Sequence, residues 1–357
     1  MKTDLLKLDG SAADTQKMRR AAEMLRAGEL VAFPTETVYG LGADAGNPEA
    51  LAALARAKGR PPDKPFALLV PTAEQAESLA AAFPRVARKL ARLYWPGPLT
   101  LVLPRAGTGT MGVRVPEHPV ARGLLAQCGF PLAAPSANRS GTPEPLDAER
   151  VLADLDGAIS LVLDGGRAWH GRPSTVVQVN KEGPPKLLRQ GALREEEILE
   201  SARPTVLFVC TGNTCRSAMA EALCRQMLKG APQPGEPGLP LRVLSAGTGA
   251  IPGQPADPLA RQVLQEIGVD LSGHRTRAVS FRLLDQADWI FTMTRAQRES
   301  IVESLPECRD RVRLFSGRGE DIPDPAEKSL EGYRLARARL VHCLSEIVRS
   351  LRARRPA

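Results

Sequence analysis

Residues 205–228 read TVLFVCTGNTCRSAMAEALCRQML. The run TVLFVC is apolar and β-branched, the pattern of a buried parallel strand. A short polar loop follows, in which Gly212 and Asn213 suit unusual backbone angles, and SAMAEALCRQML continues as a helix. Strand, tight loop and helix in this order open an α/β domain. Cys210 closes the strand and Arg216 stands six positions later. That spacing alone is a weak motif, and its weight comes from the strand and helix around it. A loop closing onto a helix N-terminus turns several backbone N–H groups toward one point, where the helix dipole also favours negative charge, so a phosphoryl group fits there. The same field favours a thiolate at Cys210, available as a nucleophile. Arg216 offers a fork of donors for two phosphoryl oxygens, and Ser217 can donate to the Cys210 sulfur and ease its departure from a phosphocysteine.

Working toward the C-terminus, APQPGEPGLP at 231–240 reads as a surface loop and RVLSAG as the next strand. Displacement at phosphorus needs an acid for the leaving group that then serves as base for water. Asp324, between Pro323 and Pro325 in GEDIPDPAEK, is the candidate, with Asp321 the alternative. With these features in order, and with SAGT and LLDQADWIFTMTRAQ between them, residues 205 to about 350 resemble a low-molecular-weight protein phosphatase. The resemblance implies Cys210 as nucleophile, Arg216 as phosphate ligand, Asp324 as general acid and no cofactor. Asn213, Thr214 and Ser217 complete the expected catalytic set.

Two departures bear on substrate. Ala326 and Glu327 follow Asp-Pro where tyrosine-directed members carry aromatic residues, and Thr214 replaces an aliphatic residue. CTGNTCRS is similar to the loop of bacterial protein-arginine phosphatases, and a threonine hydroxyl can hydrogen-bond near the bridging nitrogen of a phosphoguanidinium. A phosphoarginine protein is therefore the expected substrate, with phosphotyrosine phosphatase and arsenate reductase as alternatives. The reductase relays oxidation to a further cysteine pair, and Cys308 has no near partner. Cys215 is a redox candidate, forming a reversible disulfide with Cys210.

Working toward the N-terminus, NKEGPPKLLRQGALREEEILESARP at 180–204 passes from a Gly/Pro loop into an acidic helical stretch. It divides the chain into a domain at 1–195, a linker at 196–203 and a domain at 204–357. The first half opens with an amphipathic helix through Met18, Ala21, Ala22 and Leu25 and a strand at Leu30–Phe33. Helical patterns near 49–57, 73–93 and 119–127 alternate with FALLV, LTLVLP, GVRVP, ISLVLDGG and STVVQV, a twisted-sheet α/β domain.

It holds no P-loop and no G-x-G-x-x-G, but three polar clusters stand out: FPTETVYGLGAD with Thr35; AKGRPPDKPFALLV with Lys58, Arg60 and Lys64; and APSANRSG with Ser136 and Asn138. Three cations suit a triphosphate better than a single carboxylate. Together with WPGPLTLVL, GVRVPEHP, STVV and LLRQGA, these clusters resemble the YrdC-type threonylcarbamoyl-AMP synthases over residues 10 to about 192. The resemblance implies condensation of L-threonine, bicarbonate and ATP to threonylcarbamoyl-AMP and pyrophosphate. The product serves modification of the adenosine beside the anticodon, with tRNA an indirect partner through a threonylcarbamoyl transferase complex. It implies Thr35, Arg114 and Ser174 as threonine ligands. ATP falls to Lys58, Arg60, Lys64, Thr110, Ser136, Asn138 and Arg189, with Mg²⁺ alongside the triphosphate. Gln190 departs from a common proline, and longer synthases of the family carry a different C-terminal domain. A double-stranded-RNA-binding module is the alternative.

The bulk properties agree with two soluble α/β enzymes, a YrdC-like twisted-sheet domain followed by a doubly wound parallel-sheet phosphatase domain. The chain has 357 residues, 43% hydrophobic and 25% charged, with no apolar run long enough for a membrane span. MKTDLLKLDG lacks the apolar core of a secretory signal, so a cytoplasmic location is expected. The net charge of +8 divides into 25 basic against 23 acidic residues up to position 200, and 23 against 17 beyond it. The first half is too near neutrality to support nucleic-acid binding by charge alone. Six cysteines without a C-x-x-C pair and four scattered histidines argue against a disulfide framework and a zinc site.

Overall fold

The computed structural model describes residues 2–11, 13–60, 65–105, 107, 109–180, 183–229, 239–325 and 329–353, the side chains of 13, 352 and 353 apart. The chain forms two compact units, Met1–Ser201 and Ala202–Ala357.

The first unit runs β1 (Asp4–Lys7), α1 (Ala13–Arg26), β2 (Val31–Phe33), β3 (Gly40–Asp44), α2 (Pro48–Lys58), β4 (Leu68–Leu69), α3 (Ala73–Leu79), α4 (Arg85–Tyr94), β5 (Leu99–Pro104), β6 (Thr110–Arg114), α5 (Pro119–Cys128), β7 (Leu132–Ala133), α6 (Ala148–Leu155), β8 (Leu161–Asp164), β9 (Thr175–Gln178), β10 (Lys186–Arg189) and α7 (Glu195–Ala202). The strands make one mixed sheet in the order β1-β8-β2-β3-β7-β4-β6-β5-β9-β10. Ala21, Ala22 and Leu25 of α1 are buried with Leu124 and Leu125 of α5 on one face; Leu54 of α2 and Val151 of α6 pack in a separate cluster. Asn47 caps α2, accepting from the N–H groups of Glu49 and Ala50 at 3.0 and 3.2 Å, and Gly59 ends it at φ +59°, so that Lys58 occupies the last turn. The helical pattern at 73–93 proves to be two helices: Pro84 disfavours helical backbone at Phe83, and α4 starts afresh after it. The expected linker 196–203 is mostly helix α7. Its Ile198 is buried, and Ser201 shares a 2.8 Å hydrogen bond with Tyr94.

The second unit runs β11 (Thr205–Cys210), α8 (Arg216–Leu228), β12 (Arg242–Gly247), α9 (Pro258–Gln265), α10 (Phe281–Gln286), β13 (Trp289–Thr292), α11 (Arg295–Ser304), a 3₁₀ turn at Pro306–Arg311, β14 (Val312–Leu314) and α12 (Leu330–Ala353). Its sheet is wholly parallel, ordered β12-β11-β13-β14. Every residue of β11 is buried. Ala218, Met219 and Leu223 of α8 join Val263, Leu340 and Leu344 in one core, while Leu284, Ile290 and Ile301 join Leu207 and Val209 in another. Because the chain passes from β11 to β12 on one side and then from β12 across to β13 on the other side of β11, the winding direction reverses beside Cys210, where open α/β sheets place their ligand crevice. Most of the loop expected at 231–240, and the residues Ala326 and Glu327, lie outside the described residues. Among the described residues no helix is long and apolar enough to cross a membrane.

Candidate active sites

In the first unit, side chains distant in sequence converge on a cavity of about 410 Å³. Thr35, Lys58, Arg60, Thr110, Arg114, Ser136, Ser174 and Arg189 all line it. Lys64 lies outside the described residues. Asn138 does not line the cavity: it is buried, its amide donates to the carbonyls of Arg139 and Thr142 at 3.1 and 2.6 Å, and its own carbonyl accepts from Lys58 Nζ at 2.7 Å. Its place is thus in the loop that holds Lys58.

Lys58, only 4% exposed, also donates to the Ser136 carbonyl at 2.5 Å. Burial, followed by the nearby Arg60 charge, brings its ammonium down to about 8. Arg60 donates to the Pro65 carbonyl at 3.1 Å and lies over the Phe66 ring at 5.0 Å. Its buried Nε has no partner among the described residues. Arg114 Nε donates to the Gly97 carbonyl at 3.0 Å, and its Nη2 pairs with Glu36. Burial alone would raise the Glu36 carboxyl, but the Arg114 charge, the pair's hydrogen bond and the N–H of Glu117 hold it below the usual range. Thr35 accepts from the N–H groups of Thr37 and Val38, both at 3.3 Å, and donates to the Val38 carbonyl at 2.6 Å, so its hydroxyl is held by its own turn. Ser174 and Thr100 hydroxyls are 2.8 Å apart, and Arg189 donates to the Ser174 carbonyl at 2.9 Å. A Cβ at Gly191 would stand 2.1 Å from the Pro173 carbonyl, so only glycine lets the loop after β10 close against the Ser174 segment.

In the second unit the cradle is one loop. Cys210, 3% exposed, has its Sγ 2.9 Å from Ser217 Oγ and receives the Asn213 N–H at 3.2 Å. Asn213 stands at φ +57°, among the described residues the only non-glycine with positive φ. Its amide donates to Ser217 and Ser245 hydroxyls at 2.9 and 2.8 Å, and its carbonyl oxygens accept from the Arg277 N–H and from His274 at 2.7 Å each. A Cβ at Gly247 would stand 2.3 Å from the Thr211 carbonyl, which is why β12 ends in glycine beside the loop. No side chain caps α8, leaving its first N–H groups for a ligand.

Arg216 donates to the Ile322 carbonyl at 2.9 Å and pairs with Asp324 at 2.8 Å. Its Nε is buried without a partner among the described residues. An orphaned buried donor costs about 1–3 kcal/mol, which an anion would recover. Asp324 is 72% exposed, whereas Asp321, the alternative acid, accepts from the Arg295 N–H at 2.9 Å at the start of α11. Both aspartates line a cleft of about 490 Å³ with Thr211, Arg216, Thr294 and Gln297. Thr214 does not line that cleft, and its hydroxyl lies 3.4 Å from Cys215 Sγ. Cys215 faces Tyr333 Oη at 3.1 Å, and burial raises its thiol; both loop cysteines are free thiols.

Residues without a signal in the sequence include Glu144 in the lining of the first cavity, Glu36 behind it as the partner of Arg114, and Ser245, His274, Arg277 and Gln297 around the loop. None carries a local motif; Glu36 lies within FPTETVYGLGAD but was overshadowed by Thr35.

A family model described as telomere recombination (Sua5, YciO, YrdC) matches residues 23–191, and one for low molecular weight phosphotyrosine protein phosphatase matches 205–357. A threonylcarbamoyl-AMP synthase of Bacillus subtilis is 43% identical over 53% of this chain, and the chain spans 58% of that relative's length. One from Vibrio vulnificus is 36% identical over 49% of this chain and 98% of its own. Among solved structures, Pyrococcus abyssi Sua5 complexed with L-threonine is 28% identical with a TM-score of 0.53, covering 96% of this chain and 97% of that one. The YwlE arginine phosphatase of Geobacillus stearothermophilus is 35% identical over 42% of this chain and 94% of its own, with a TM-score of 0.38.

Proposed function

We propose that this chain, which belongs to the Sua5/YrdC family through its first unit and to the low-molecular-weight phosphatase family through its second, is a cytoplasmic bifunctional enzyme. The first unit condenses L-threonine, bicarbonate and ATP to threonylcarbamoyl-AMP and pyrophosphate. The observation that carries this reading is the single cavity shared by Arg114, Ser174 and Thr35 with Lys58, Arg60, Ser136 and Arg189. Arg114, steadied by Glu36, takes the threonine carboxylate, and Thr35 and Ser174 take its polar groups. Lys58, Arg60 and Arg189 take the phosphates, with Arg60 Nε gaining its missing acceptor. Mg²⁺ fits this donor set as a companion of the nucleotide: Glu144 is an exposed carboxylate in the lining, and the phosphates would supply most ligands and have their charge neutralised. The threonylcarbamoyl group is then destined for tRNA through a transferase complex. Pyrophosphate release from ATP that depends on both threonine and bicarbonate tests this; RNA binding without it would favour a binding module.

The second unit hydrolyses a phosphorylated protein. Its carrying observation is the Cys210 sulfur beneath two donors, at the foot of a loop whose Arg216 already holds Asp324. Cys210 attacks phosphorus and forms the S–P bond as the bond to the leaving group breaks. Asp324 gives that group its proton, Arg216 holds the equatorial oxygens, and Asp324 then takes a proton from the water that releases phosphate. Phosphoarginine is the preferred substrate, a reading supported by the loop sequence CTGNTCRS and by a cleft that has no aromatic ring among its described lining residues. Hydrolysis of phosphoarginine and phosphotyrosine peptides side by side tests the preference, and faster tyrosine turnover would overturn it.

A further inference from the structure

We propose that Glu144 is a specificity-determining residue that makes the cavity of the first unit take ATP as its magnesium complex and turn away the metal-free nucleotide; the proposal rests on the synthase reading. Among the described residues that line the cavity, Lys58, Arg60, Arg114 and Arg189 carry positive charge and Glu144 alone carries negative charge. Two further acids near these cations are already committed. Glu36 pairs with Arg114 and accepts the N–H groups of Glu117 and His118. Asp154 accepts from the Thr142 hydroxyl at 2.6 Å and pairs with Arg150 at 3.5 Å. Glu144 is exposed and has no hydrogen bond or ion pair among the described residues. Its charge nevertheless reaches two of the phosphate candidates, Lys58 and Arg189, and favours the charged form of both.

The backbone that carries Glu144 is fixed from both sides. Pro143 and Pro145 flank it, their rings restricting φ and disfavouring helical backbone at Glu144 itself. The Thr142 carbonyl accepts from the Asn138 amide at 2.6 Å, and the Pro145 carbonyl accepts from the Tyr39 N–H at 2.9 Å. Asn138 also receives Lys58 Nζ on its own carbonyl at 2.7 Å. One buried residue therefore sets both the lysine and the loop that presents the carboxylate. A negative charge is thus built into a site for a polyanion, where it offsets part of the attraction that the four cations exert on a bare triphosphate. Magnesium on the phosphates reverses the sign of that contribution, because it neutralises part of their charge and takes oxygen ligands such as a carboxylate. The cations attract phosphate in either form, and Glu144 supplies the difference between the forms.

Calorimetric titration of the full chain with ATP at pH 7, without threonine or bicarbonate, tests this with no turnover required. Run once with excess Mg²⁺ and once with EDTA, it gives the ratio of two dissociation constants, in which any change in the charge of Lys58 cancels. Glu144→Gln keeps the shape and removes the charge. It is expected to shrink the ratio about tenfold, with metal-free ATP bound more tightly and the magnesium complex more weakly. Glu144→Asp keeps the charge and should hold the ratio within about threefold of the unaltered protein. Glu149→Gln, which removes an exposed acid on α6 outside the cavity lining, should leave the ratio unchanged. A Glu144→Gln ratio equal to that of the unaltered protein overturns the proposal, and so does an equal shift in Glu149→Gln, which would trace the effect to net charge. Binding weakened by the same factor in both media would also overturn it, by making Glu144 a support for Lys58 and Arg189 alone. If the unaltered protein binds ATP in neither medium, the synthase reading falls and the proposal with it.

Discussion

The two anion sites are built in opposite ways. In the second unit a contiguous loop, Cys210 to Ser217, carries the proposed nucleophile, backbone donors and proposed phosphate ligand, and Asp324 is added from one other segment. In the first unit the candidate ligands among the described residues are gathered from six stretches of chain, with only Lys58 and Arg60, and Thr110 and Arg114, sharing one. Both nevertheless keep a buried arginine Nε that has no partner among the described residues, at Arg60 and at Arg216. A contiguous cradle concentrates its chemistry in one atom, whereas a gathered cavity spreads binding over many, and the two should respond differently to single substitutions.

The sharpest break is Cys210→Ser, expected to reduce phosphate release by about 10⁴-fold or more while leaving threonine-dependent pyrophosphate release unchanged. A loss under tenfold in the first assay would mean that the nucleophile is another residue. Next in size is Arg114→Ala, which strands the Glu36 carboxylate in a buried site and should destabilise the first unit by about 3 kcal/mol. It should also raise KM for threonine. Thermal unfolding of Arg114→Ala/Glu36→Gln should recover stability but not threonine affinity; recovery of both would show that Arg114 acts only through packing.

A smaller effect follows from Lys58, whose ammonium burial brings down to about 8 from the ordinary 10.5 of a free lysine. Between these limits the unfolded chain binds the proton and the folded chain does not, so this lysine makes stability rise with pH across that window. The charge that grips phosphates is lost over the same interval. The apparent KM for ATP should therefore climb above pH 8, approaching tenfold per unit at most, and Lys58→Arg should flatten the climb. A wild-type KM that is constant from pH 7 to 9 would remove Lys58 from the phosphate ligands. The smallest effect is expected from Thr214→Ile, which should shift preference from phosphoarginine toward phosphotyrosine by about three- to tenfold, in the range of one hydrogen bond. An unchanged ratio would leave the substrate choice without its loop argument.

How much could be read in advance follows the same contrast. TVLFVC, the loop and SAMAEALCRQML are adjacent, so strand, cradle and helix were all legible, down to Ser217 beside the Cys210 sulfur. The helical pattern at 73–93 misled because its apolar spacing continues past Pro84 while the backbone does not. Asn138 was grouped with Ser136 as a ligand two residues on, yet its amide turns back into its own loop to satisfy the carbonyls of Arg139 and Thr142. Glu36 escaped notice since its partner, Arg114, is 78 residues away.

By itself the sequence determined that there are two α/β units, that one carries a thiol at a strand end under a helix N-terminus, and that the other carries polar clusters rich in cations. Those signals are periodic or contiguous, and the forces behind them, burial of apolar faces and local backbone geometry, act over a few residues. Only the tertiary structure gave the two candidate acids different partners. Asp321 is drawn to the Arg295 N–H at a helix start, while Asp324 reaches Arg216, across more than a hundred residues of chain. It also decided the setting of the Asn213 amide, whose oxygen accepts from the Arg277 N–H 64 residues away, so that its own hydrogens go to the Ser217 and Ser245 hydroxyls.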